Sequence, residues 1–347
     1  MNRILFAGGG TAGHIEPAWA VSEVWRQKHP GDEIAFLGTK NGLEVTLIPD
    51  RGGKLFLIPK VVAPRKVNLG AFLFPIRLLN SIIKTVSVVK QFDVVVGFGG
   101  YVAGSAYIAA AILRKPIVVH DQNAKIGMAN KFGAIFTKEI ALAYDNSGIS
   151  GARVVGNPLK KEIIAAANQS DWVVARNNAK SKLDVSGNLI LVLGGSTGSQ
   201  AINKVIAETL LKGNFAGCTV IHSVGKENKL PESTATYRPV SYIEDMATAL
   251  LAADLVISRS GAIACSEFAA LGKYALFIPL PIGNGEQALN ADELVLAHKA
   301  EVIQQTSFDS NWLSTNLPRL LQQGSISPLG TSLNAAEQIA ECVERVI

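Results

Sequence analysis

Short apolar runs alternate with helical patterns along most of this 347-residue chain, and glycine-rich turns follow several of the runs. The runs are apolar at consecutive positions rather than at every second one, which indicates strands of parallel sheets that are covered on both faces. One series of runs starts at Ile4 and a second starts at Leu189. Since 347 residues exceed what one hydrophobic core usually serves, the pattern predicts an α/β chain of two doubly wound domains.

The bounds of the predicted elements follow from the same pattern. Strands are predicted at residues 4–7, 34–37, 94–96, 117–119, 189–193, 219–222, 255–257 and 275–278. Helices are predicted at residues 17–28, 103–113, 200–211, 245–252, 262–271, 286–298 and 333–346. We expect the first domain to end near Pro158, because a strand ends there and Gly156 and Pro158 interrupt the pattern. The last helix could cover either domain.

Charge is unevenly divided between the two halves of the chain. Residues 1–157 contain 18 Lys+Arg and 10 Asp+Glu, whereas residues 158–347 contain 15 and 18. Residues 51–90 contain eight basic residues and no acidic one. The first half therefore favours an anionic partner such as a membrane surface, a pyrophosphate or a nucleic acid. Solvated surface lysines would give the same composition.

The compartment is indicated by the cysteines and by the first residues. The three cysteines are widely spaced and show neither metal-ligand spacing nor a paired framework, which favours a reducing cytosol. The first residues lack the pattern of a signal peptide. Residues 94–113 carry no charge over a length that could cross a bilayer. Four glycines among them favour a strand, a turn and a helix instead.

The first candidate site is the turn Gly8–His14, because ligands of open α/β sheets bind beyond the carboxyl ends of the strands. Its glycines let a ligand approach the backbone, and a helix N-terminus favours phosphate. The turn lacks the dinucleotide spacing, and the second strand ends without a ribose-binding acid, which disfavours NAD. His14 could take a proton from a hydroxyl near neutral pH. The alternative is a helix-start histidine that bonds a backbone carbonyl.

Two further turns in the first half have the same character. Gly97–Tyr101 suits a pyrophosphate, although tight packing of strand and helix would also explain its glycines. His120–Asn123 places four hydrogen-bonding side chains at the end of a strand, where it is costly to bury them unused. The hydroxyls of a sugar would match them, and a purely structural polar turn is the alternative.

Three segments of the second half are candidates for binding a nucleotide diphosphate, a ribose or sugar hydroxyls. Gly194–Ser199 suits a diphosphate, but it lacks the Gly-Lys-Ser/Thr ending of a P-loop, which disfavours an ATPase. Ser260 and Gly261 would begin a helix whose N–H groups point at phosphate. Glu267, about two turns into that helix, could bind two ribose hydroxyls or lie on a solvated face. Residues 279–290 run into a helix that begins with acid and amide side chains, which suit sugar hydroxyls.

Taken in order, these turns closely resemble the MurG family of glycosyltransferases, and the residues within the motifs resemble its actinobacterial branch. The matching segments span nearly the whole chain and read GGGTAGHIEPAWAV, GFGGYVAGS, HDQN, VGNP, GGSTGSQAIN, YIEDMA, SRSGAIACSE and PLPIGNGEQALNA. The resemblance implies the GT-B fold, in which two Rossmann-like doubly wound domains face a cleft. Residues 1–158, completed by the helix 332–347, would bind the acceptor and associate with the membrane, and residues 159–331 would bind UDP-GlcNAc.

The resemblance also implies roles for individual residues. His14 would be the base or the acceptor-positioning group for the 4-hydroxyl of N-acetylmuramic acid, and Asn123 would act beside it at the reacting centre. The acceptor-binding residues would be Gly10, Thr11, Gly13, Gly100, Tyr101 and His120. The donor-binding residues would be Thr11, Ala12, Gly13, Asn123, Lys160, Ser196, Ile243, Ala262, Ile263, Glu267, Gln287 and Asn290. Among these, Ile243 would bind uracil through its backbone and Glu267 would bind the ribose.

Three positions depart from the family pattern. Lys160 stands where arginine is common, and it keeps the charge but cannot make a planar fork. Thr197 stands where glutamine often follows the serine, and Glu286 replaces the first of two glutamines. These departures put the nucleotide role of Lys160 and the sugar role of Glu286 in doubt.

An apolar stretch flanked by basic residues is a candidate membrane-facing patch. Each basic group near an anionic membrane adds about 1 kcal/mol of binding free energy, and insertion of apolar side chains adds more. A helix buried in the domain is the alternative. The patch would comprise Arg65, Lys66, Phe72, Phe74, Arg77, Leu79 and Lys84.

The resemblance implies an inverting enzyme. It would transfer N-acetylglucosamine from UDP-GlcNAc to the 4-hydroxyl of MurNAc in undecaprenyl-pyrophosphoryl-MurNAc-pentapeptide (lipid I), giving lipid II for peptidoglycan synthesis. No cofactor is expected, and no metal, because an Asp-x-Asp motif is absent from the sequence.

The expected partners are the two substrates, the anionic inner face of the cytoplasmic membrane, and proteins of cell-wall synthesis and division, but no nucleic acid. The enzyme would be peripheral to the cytoplasmic face of the cell membrane. The alternatives are another GT-B enzyme, such as a lipid glucosyltransferase or a UDP-GlcNAc 2-epimerase, and a non-catalytic nucleotide-sugar-binding module.

Overall fold

The structure, a computed structural model, describes residues 1–61, 69–145, 148–195, 197–215, 217–281, 285–324 and 332–347, and only the backbone of residues 69–74. The chain divides into two compact units. Unit 1 comprises Met1–Leu159 and Ser332–Ile347, and unit 2 comprises Lys160–Thr331. Each unit has its own parallel sheet.

The helices and strands alternate through both units. Unit 1 contains β1 (Arg3–Ala7), α1 (Ala12–Lys28), β2 (Glu33–Thr39), α2 (Glu44–Asp50), β3 (Lys54–Ile58), α3 (Leu69–Val89), β4 (Val94–Gly97), α4 (Gly100–Leu113), β5 (Ile117–Asp121), α5 (Met128–Gly133), a 3₁₀ helix (Ala134–Phe136), β6 (Ile140–Leu142) and β7 (Arg153–Val154). Unit 2 contains α6 (Lys161–Ala167), α7 (Trp172–Lys182), β8 (Asn188–Leu193), α8 (Gln200–Leu211), β9 (Cys218–Ser223), β10 (Tyr237–Val240), α9 (Met246–Ala252), β11 (Leu255–Ser258), α10 (Ala262–Ala270), β12 (Ala275–Phe277), α11 (Glu286–Asn290), α12 (Asp292–Leu296), β13 (Ala300–Val302) and α13 (Ser310–Gln322). The chain then returns to unit 1 with α14 (Ala335–Glu344).

The sheet of unit 1 has seven parallel strands in the order β3-β2-β1-β4-β5-β6-β7. The strand order reverses at β1, which pairs with both β2 and β4. Successive side chains of β1 point to opposite faces, so Ile4 and Phe6 enter one hydrophobic cluster and Leu5 and Ala7 enter another. Both faces of β1 are therefore buried, which explains why its sequence is apolar at consecutive positions.

The sheet of unit 2 has six parallel strands in the order β10-β9-β8-β11-β12-β13. The order reverses at β8, which pairs with β9 and β11. In open sheets the crevice beyond such a reversal is where ligands bind. The turns after β1 and β4 in unit 1, and after β8 and β11 in unit 2, are therefore the positions to inspect.

The structure corrects several predicted bounds. α1 begins at Ala12 rather than at residue 17. It therefore includes Pro17 in its second turn, where the missing N–H leaves the carbonyl of Gly13 without its helical hydrogen bond. α4 begins at Gly100 rather than at residue 103. β5 continues through Asp121, since its last residues pair with β6. The helix expected at residues 286–298 is two short helices, α11 and α12.

Candidate active site

The turn after β1 holds His14 in a defined position. His14 lies in the first turn of α1, and its Nδ1 is 3.0 Å from the Thr11 hydroxyl. Gly10 has a φ of 90°, a left-handed conformation that favours glycine. The N–H of Gly10 donates to the carboxylate of Glu44 at 2.8 Å. The glycines thus let the backbone turn sharply before a histidine that a neighbouring hydroxyl orients.

The turn after β4 packs against the same imidazole ring. Gly99 and Gly100 have φ values of 91° and 74°. A Cβ at Gly99 would lie 3.3 Å from Nε2 of His14, and one at Gly100 would lie 3.6 Å from Cε1. A side chain at Gly99 would crowd the ring, and one at Gly100 would be in van der Waals contact with it. The structure therefore brings together the two glycine-rich turns that the sequence analysis selected, with His14 between them.

The surroundings of His14 favour its neutral form. Burial lowers the pKa of the imidazole to about 4, while the negative charge of Glu44 acts in the opposite direction. A histidine that is neutral near pH 7 can accept a proton from a hydroxyl.

A buried polar network shapes the turn after β5. The carboxylate of Asp121 accepts from the N–H of Asn123 at 2.9 Å, from the N–H of Gly127 at 2.9 Å and from Nδ2 of Asn130 at 2.8 Å. The hydroxyl of Tyr107 donates to Oδ1 of Asn130 at 2.8 Å. Burial raises the pKa of Asp121, and these hydrogen bonds oppose the shift. Asp121 therefore fixes the turn that carries the half-buried Asn123.

Two residues expected to bind the acceptor also form hydrogen bonds that support these turns. His120 is 0 % exposed, and its Nε2 lies 3.1 Å from the carbonyl oxygen of Gly156. The hydroxyl of Tyr101 lies 2.6 Å from that of Ser81 and donates to the carbonyl oxygen of Pro59 at 3.1 Å. A ring without exposed surface cannot touch a sugar directly. This applies to His120, whereas Tyr101 is half-buried. The acceptor contacts expected of both residues remain predictions.

In unit 2, the turn after β8 packs backbone to backbone against the turn after β9. A Cβ at Gly198 would lie within 3.0 Å of the carbonyl oxygen of Val224, and one at Gly225 would lie within 3.0 Å of that of Thr197. Nδ2 of Asn228 donates to both carbonyl oxygens, at 3.1 Å to Thr197 and 2.8 Å to Val224. The turn is thus held close to its neighbour by the absence of side chains and by one amide.

His222 supports this turn from within the sheet. It is 0 % exposed, and its two ring nitrogens lie 3.0 Å from the hydroxyl of Tyr237 and 3.0 Å from Oδ1 of Asn203. Nδ2 of Asn203 donates to the carbonyl oxygen of Val224 at 3.0 Å. Burial lowers the pKa of His222 to about 4.

Arg259 joins three turns of unit 2, a role that no motif of the sequence predicted. Its Nη1 donates to the carbonyl oxygens of Ile278 and Pro279 at 2.8 and 3.1 Å. Its Nη2 donates to the hydroxyl of Ser199 at 2.8 Å and to Oε1 of Gln305 at 2.6 Å. All four acceptors are neutral, although Arg259 is only 8 % exposed. A buried cation with neutral partners makes this edge of the sheet attractive to an anion.

The N-terminus of α10 supplies donors at the same edge. Gly261 is its N-cap and has no side chain with which to bond the first N–H groups, so these groups remain directed outward as at anion-binding helix ends. Ala262 is buried, whereas Ile263 and Glu267 are half-buried. Glu267 lies on α10, as expected.

The other residues of unit 2 that were predicted to bind UDP-GlcNAc lie on several different loops and helices. Lys160 is the half-buried N-cap residue of α6, and Ile243 is 9 % exposed in the loop before α9. Oε1 of Gln287 accepts from the N–H of Leu280 at 2.9 Å. Asn290 is 1 % exposed and donates to the carbonyl oxygen of Ser260 at 3.3 Å. The amides of Gln287 and Asn290 therefore brace the loops of this edge.

Some predicted residues lie outside the described part of the chain. These are Arg65, Lys66 and Ser196, together with the side chains of Phe72 and Phe74.

α3 presents one buried and one exposed face. Ser81 and Thr85 are 0 % exposed on its inner face, whereas Ile76, Leu79 and Ile83 are 67 %, 59 % and 59 % exposed. Arg77 and Lys84 are exposed beside these apolar side chains. In the described residues, no helix combines the length and apolar character needed to cross a bilayer.

A second exposed apolar group, which was not predicted from the sequence, lies on α5 and the 3₁₀ helix. It comprises Met128, Phe132, Ile135 and Phe136, which are 87 %, 38 %, 73 % and 45 % exposed. α3 and α5 both pack against α4. Both apolar groups are therefore borne by one continuous layer of helices in unit 1.

Comparison with known proteins identifies the two units. Residues 4–142 match the glycosyltransferase family 28 N-terminal domain, and residues 189–345 match the family 28 C-terminal domain. A Corynebacterium diphtheriae protein is 42% identical over 99% of this chain and 97% of its own length. It is named UDP-N-acetylglucosamine--N-acetylmuramyl-(pentapeptide) pyrophosphoryl-undecaprenol N-acetylglucosamine transferase.

Solved structures support the same fold. The crystal structure of Acinetobacter baumannii MurG has a TM-score of 0.74 and 26% identity, covering 99% of this chain and 100% of that one. A UDP-GlcNAc 2-epimerase from Neisseria meningitidis has a TM-score of 0.65 at 13% identity, covering 99% and 100%, and shows the fold alone. The predicted GT-B glycosyltransferase fold is thus confirmed. Both matched domains and the full-length likeness show that this chain belongs to the MurG glycosyltransferases of family 28.

Proposed function

We propose that this chain transfers N-acetylglucosamine from UDP-GlcNAc to the 4-hydroxyl of MurNAc in lipid I, giving lipid II. The substrates are those in the name of the Corynebacterium relative. The observation that carries the proposal is the position of His14, which Thr11 orients at 3.0 Å between two glycine-rich turns. A neutral imidazole so placed, in a family 28 chain, suits a general base for a sugar hydroxyl.

Unit 2 binds the donor. The turn after β8 and the N-terminus of α10 offer backbone N–H groups to the diphosphate, and the buried charge of Arg259 adds to their positive potential. Ser196 and Lys160 extend this phosphate site in the proposal. The backbone at Ile243 binds uracil, and the half-buried carboxylate of Glu267 takes the ribose hydroxyls.

Unit 1 binds the acceptor. The N–H groups of the turns that contain Gly13 and Gly100 face the pyrophosphate of the lipid, and Asn123 contacts the sugar near the reacting centre. Asp121 keeps Asn123 in place through the hydrogen bond to its N–H.

The reaction is a single displacement. The oxygen of the acceptor hydroxyl attacks the anomeric carbon of GlcNAc from the face opposite UDP and forms the new C–O bond, while the bond from the anomeric carbon to the phosphate oxygen breaks. His14 takes the proton of the hydroxyl. UDP leaves with the bonding electron pair, and the N–H groups and Arg259 stabilise its charge. The configuration at the anomeric carbon inverts, so the α linkage of the donor becomes a β-1,4 bond.

The chain meets its lipid substrate at the anionic inner face of the cytoplasmic membrane. Three observations support this proposal: the exposed apolar face of α3, the basic residues Arg77 and Lys84 beside it, and the second apolar group on α5 and the 3₁₀ helix. Apolar side chains flanked by cations are the pattern of interfacial membrane binding. Arg65, Lys66, Phe72 and Phe74 belong to the same proposed surface.

The test measures transfer of labelled GlcNAc from UDP-GlcNAc to a lipid I analogue, with detection of product mass. His14→Ala is expected to reduce turnover by roughly 10²- to 10⁴-fold and to leave UDP affinity nearly unchanged. His298→Asn is the control, because His298 is an exposed histidine of unit 2. Equal loss of turnover and UDP binding would refute the role of His14. Wild-type chain that binds UDP-GlcNAc without any transfer would indicate a binding module, and epimerised UDP-sugar would indicate an epimerase.

A further inference from the structure

Glu44 is a fully buried carboxylate directly behind the turn that carries His14. It is the first residue of α2 and is 0 % exposed. Its Oε2 accepts from the N–H of Gly10 at 2.8 Å. Its Oε1 accepts from the N–H of Thr39 at 2.7 Å and from the Thr39 hydroxyl at 3.1 Å. One side chain thus ties the turn after β1 to the end of β2.

Three glycines make the space that this carboxylate occupies. A Cβ at Gly9, Gly38 or Gly42 would lie within 3.0 Å of the Glu44 side chain. None of the three has a φ in the left-handed region, so backbone conformation does not require glycine at these positions. The close approach of the Glu44 side chain requires glycine there.

The hydrogen bonds of Glu44 are those of an ionised carboxylate. Both oxygens accept, and a carboxylate is an acceptor alone. An amide in the same place would turn one N–H₂ group towards an N–H donor. Among the described residues, neither lysine nor arginine forms an ion pair with Glu44. Burying a charge that no cation neutralises is costly, and three hydrogen bonds from N–H and O–H groups offset that cost here.

The turn links this charge to the reacting histidine. Gly10, which Glu44 holds, precedes Thr11, and the Thr11 hydroxyl is 3.0 Å from Nδ1 of His14. The charge also acts on His14 through space, since Glu44 opposes the lowering of the His14 pKa by burial. Both effects favour a correctly oriented imidazole that can take up a proton.

We propose that Glu44 is a positioning residue for proton transfer, which holds the turn Gly10–His14 in register and stabilises the imidazolium formed when His14 accepts the acceptor's proton. The inference rests on the proposed role of His14 as base. Glu44 touches neither substrate, and it acts through Gly10 and through its charge.

The experiment compares Glu44→Gln with wild type and with Glu33→Gln. Glu33 lies on β2 and bonds Lys54 at the surface, so its variant controls for loss of one carboxylate from the same part of unit 1. In Glu44→Gln, kcat for a lipid I analogue is expected to fall roughly 10- to 100-fold. KM for the acceptor and the Kd for UDP are expected to stay within about threefold, because the backbone of both binding edges is retained.

A spectroscopic readout separates positioning from folding. The chain has 5 histidines, and the His14→Ala spectrum identifies the His14 signals of ¹⁵N-histidine-labelled protein. In wild type at pH 7.5, the His14 ring nitrogens are expected to show one tautomer, fixed by Thr11. In Glu44→Gln they are expected to average between tautomers. Thr39→Val, which removes only the 3.1 Å hydroxyl bond, is expected to give a smaller change in the same direction.

Two outcomes would overturn the inference. In one, Glu44→Gln keeps wild-type kcat and wild-type His14 signals. In the other, kcat, UDP affinity and melting temperature fall together in Glu44→Gln and Thr39→Val, which means that Glu44 serves folding alone. If the wild-type chain had no transferase activity, the proposed function would be refuted instead. The tautomer measurement would still test whether Glu44 positions His14.

Discussion

Gly195 and Gly198 allow the packing of the turn after β8 to be measured with two matched substitutions. Both lie in the turn after β8, with φ values of 86° and 78°. A Cβ at Gly195 would meet no atom within 4 Å, whereas one at Gly198 would lie within 3.0 Å of the Val224 carbonyl oxygen and of the Asn228 amide. Gly195→Ala therefore introduces backbone strain alone, and Gly198→Ala introduces the same strain together with a collision.

The structure sets the expected magnitudes. A left-handed conformation costs alanine about 1–2 kcal/mol, which is the whole expected effect of Gly195→Ala. Overpacking adds about 1–3 kcal/mol, so Gly198→Ala is expected to lower the free energy of unfolding of unit 2 by about 2–5 kcal/mol. The obstacle is a backbone carbonyl, which cannot turn aside as a flexible side chain would.

The assay is denaturant unfolding of the full chain without ligand, followed by amide hydrogen exchange to locate the change. Exchange should accelerate in the turns after β8 and β9 in Gly198→Ala and remain nearly unchanged after β9 in Gly195→Ala. Equal loss of stability in the two variants would refute the reasoning, because it would mean that the two turns do not pack as closely as the structure has them.

Two other predictions concern the proposed membrane-facing surface and the stability of the fold at acid pH. Replacing Leu79 and Ile83 by aspartate should weaken co-sedimentation with anionic vesicles at least tenfold, since each apolar side chain buried in the membrane contributes about 1.5–3 kcal/mol. The control is Leu211→Asp, at an 89 % exposed position of unit 2. Equal losses of vesicle binding in the two variants would contradict the proposed surface. His120 and His222 are buried with the pKa of each lowered to about 4, so the unfolded chain binds their protons first as pH falls below 6.5. Stability should then fall by about 2 kcal/mol per ring between pH 7 and pH 5, and His222→Gln should reduce the slope measured by urea unfolding; an unchanged slope would contradict the assignment.

The sequence predicted the central strands better than the edge strands. β1, β4 and β8 lie in sheet interiors, where burial on both faces makes the sequence apolar at consecutive positions. β3, β6, β10 and β13 were missed. β6 and β13 have only three residues each. β10 is an edge strand that contains a proline and lacks an apolar run. β3 is a partly buried edge strand, but Leu55–Ile58 is apolar at consecutive positions, so the same pattern could have predicted it.

The candidate site was predicted in its turns but not in its supports. Glycine-rich turns are visible as motifs, so His14 and Gly198 could be selected from the sequence. Glu44, Arg259 and His222 act through partners that are distant in sequence or on other elements. A glutamate after Gly42-Leu43 has no local signal of burial. Gly38 and Gly42 lie within six residues of it, but Gly9 belongs to the turn after β1, so the three glycines surround the carboxylate only in the folded unit.

The return of α14 to unit 1 has a consequence for synthesis on the ribosome. Ile339, Ala340 and Val343 are 0 % exposed in the cluster that also contains Val21 and Trp25 of α1. The ribosome makes residues 160–331 between these two helices, which takes roughly 10 to 35 s at common elongation rates. During that interval the apolar face of α1 lacks the helix that covers it in the folded unit, and it is available to chaperones. Unit 1 is therefore begun first and completed last.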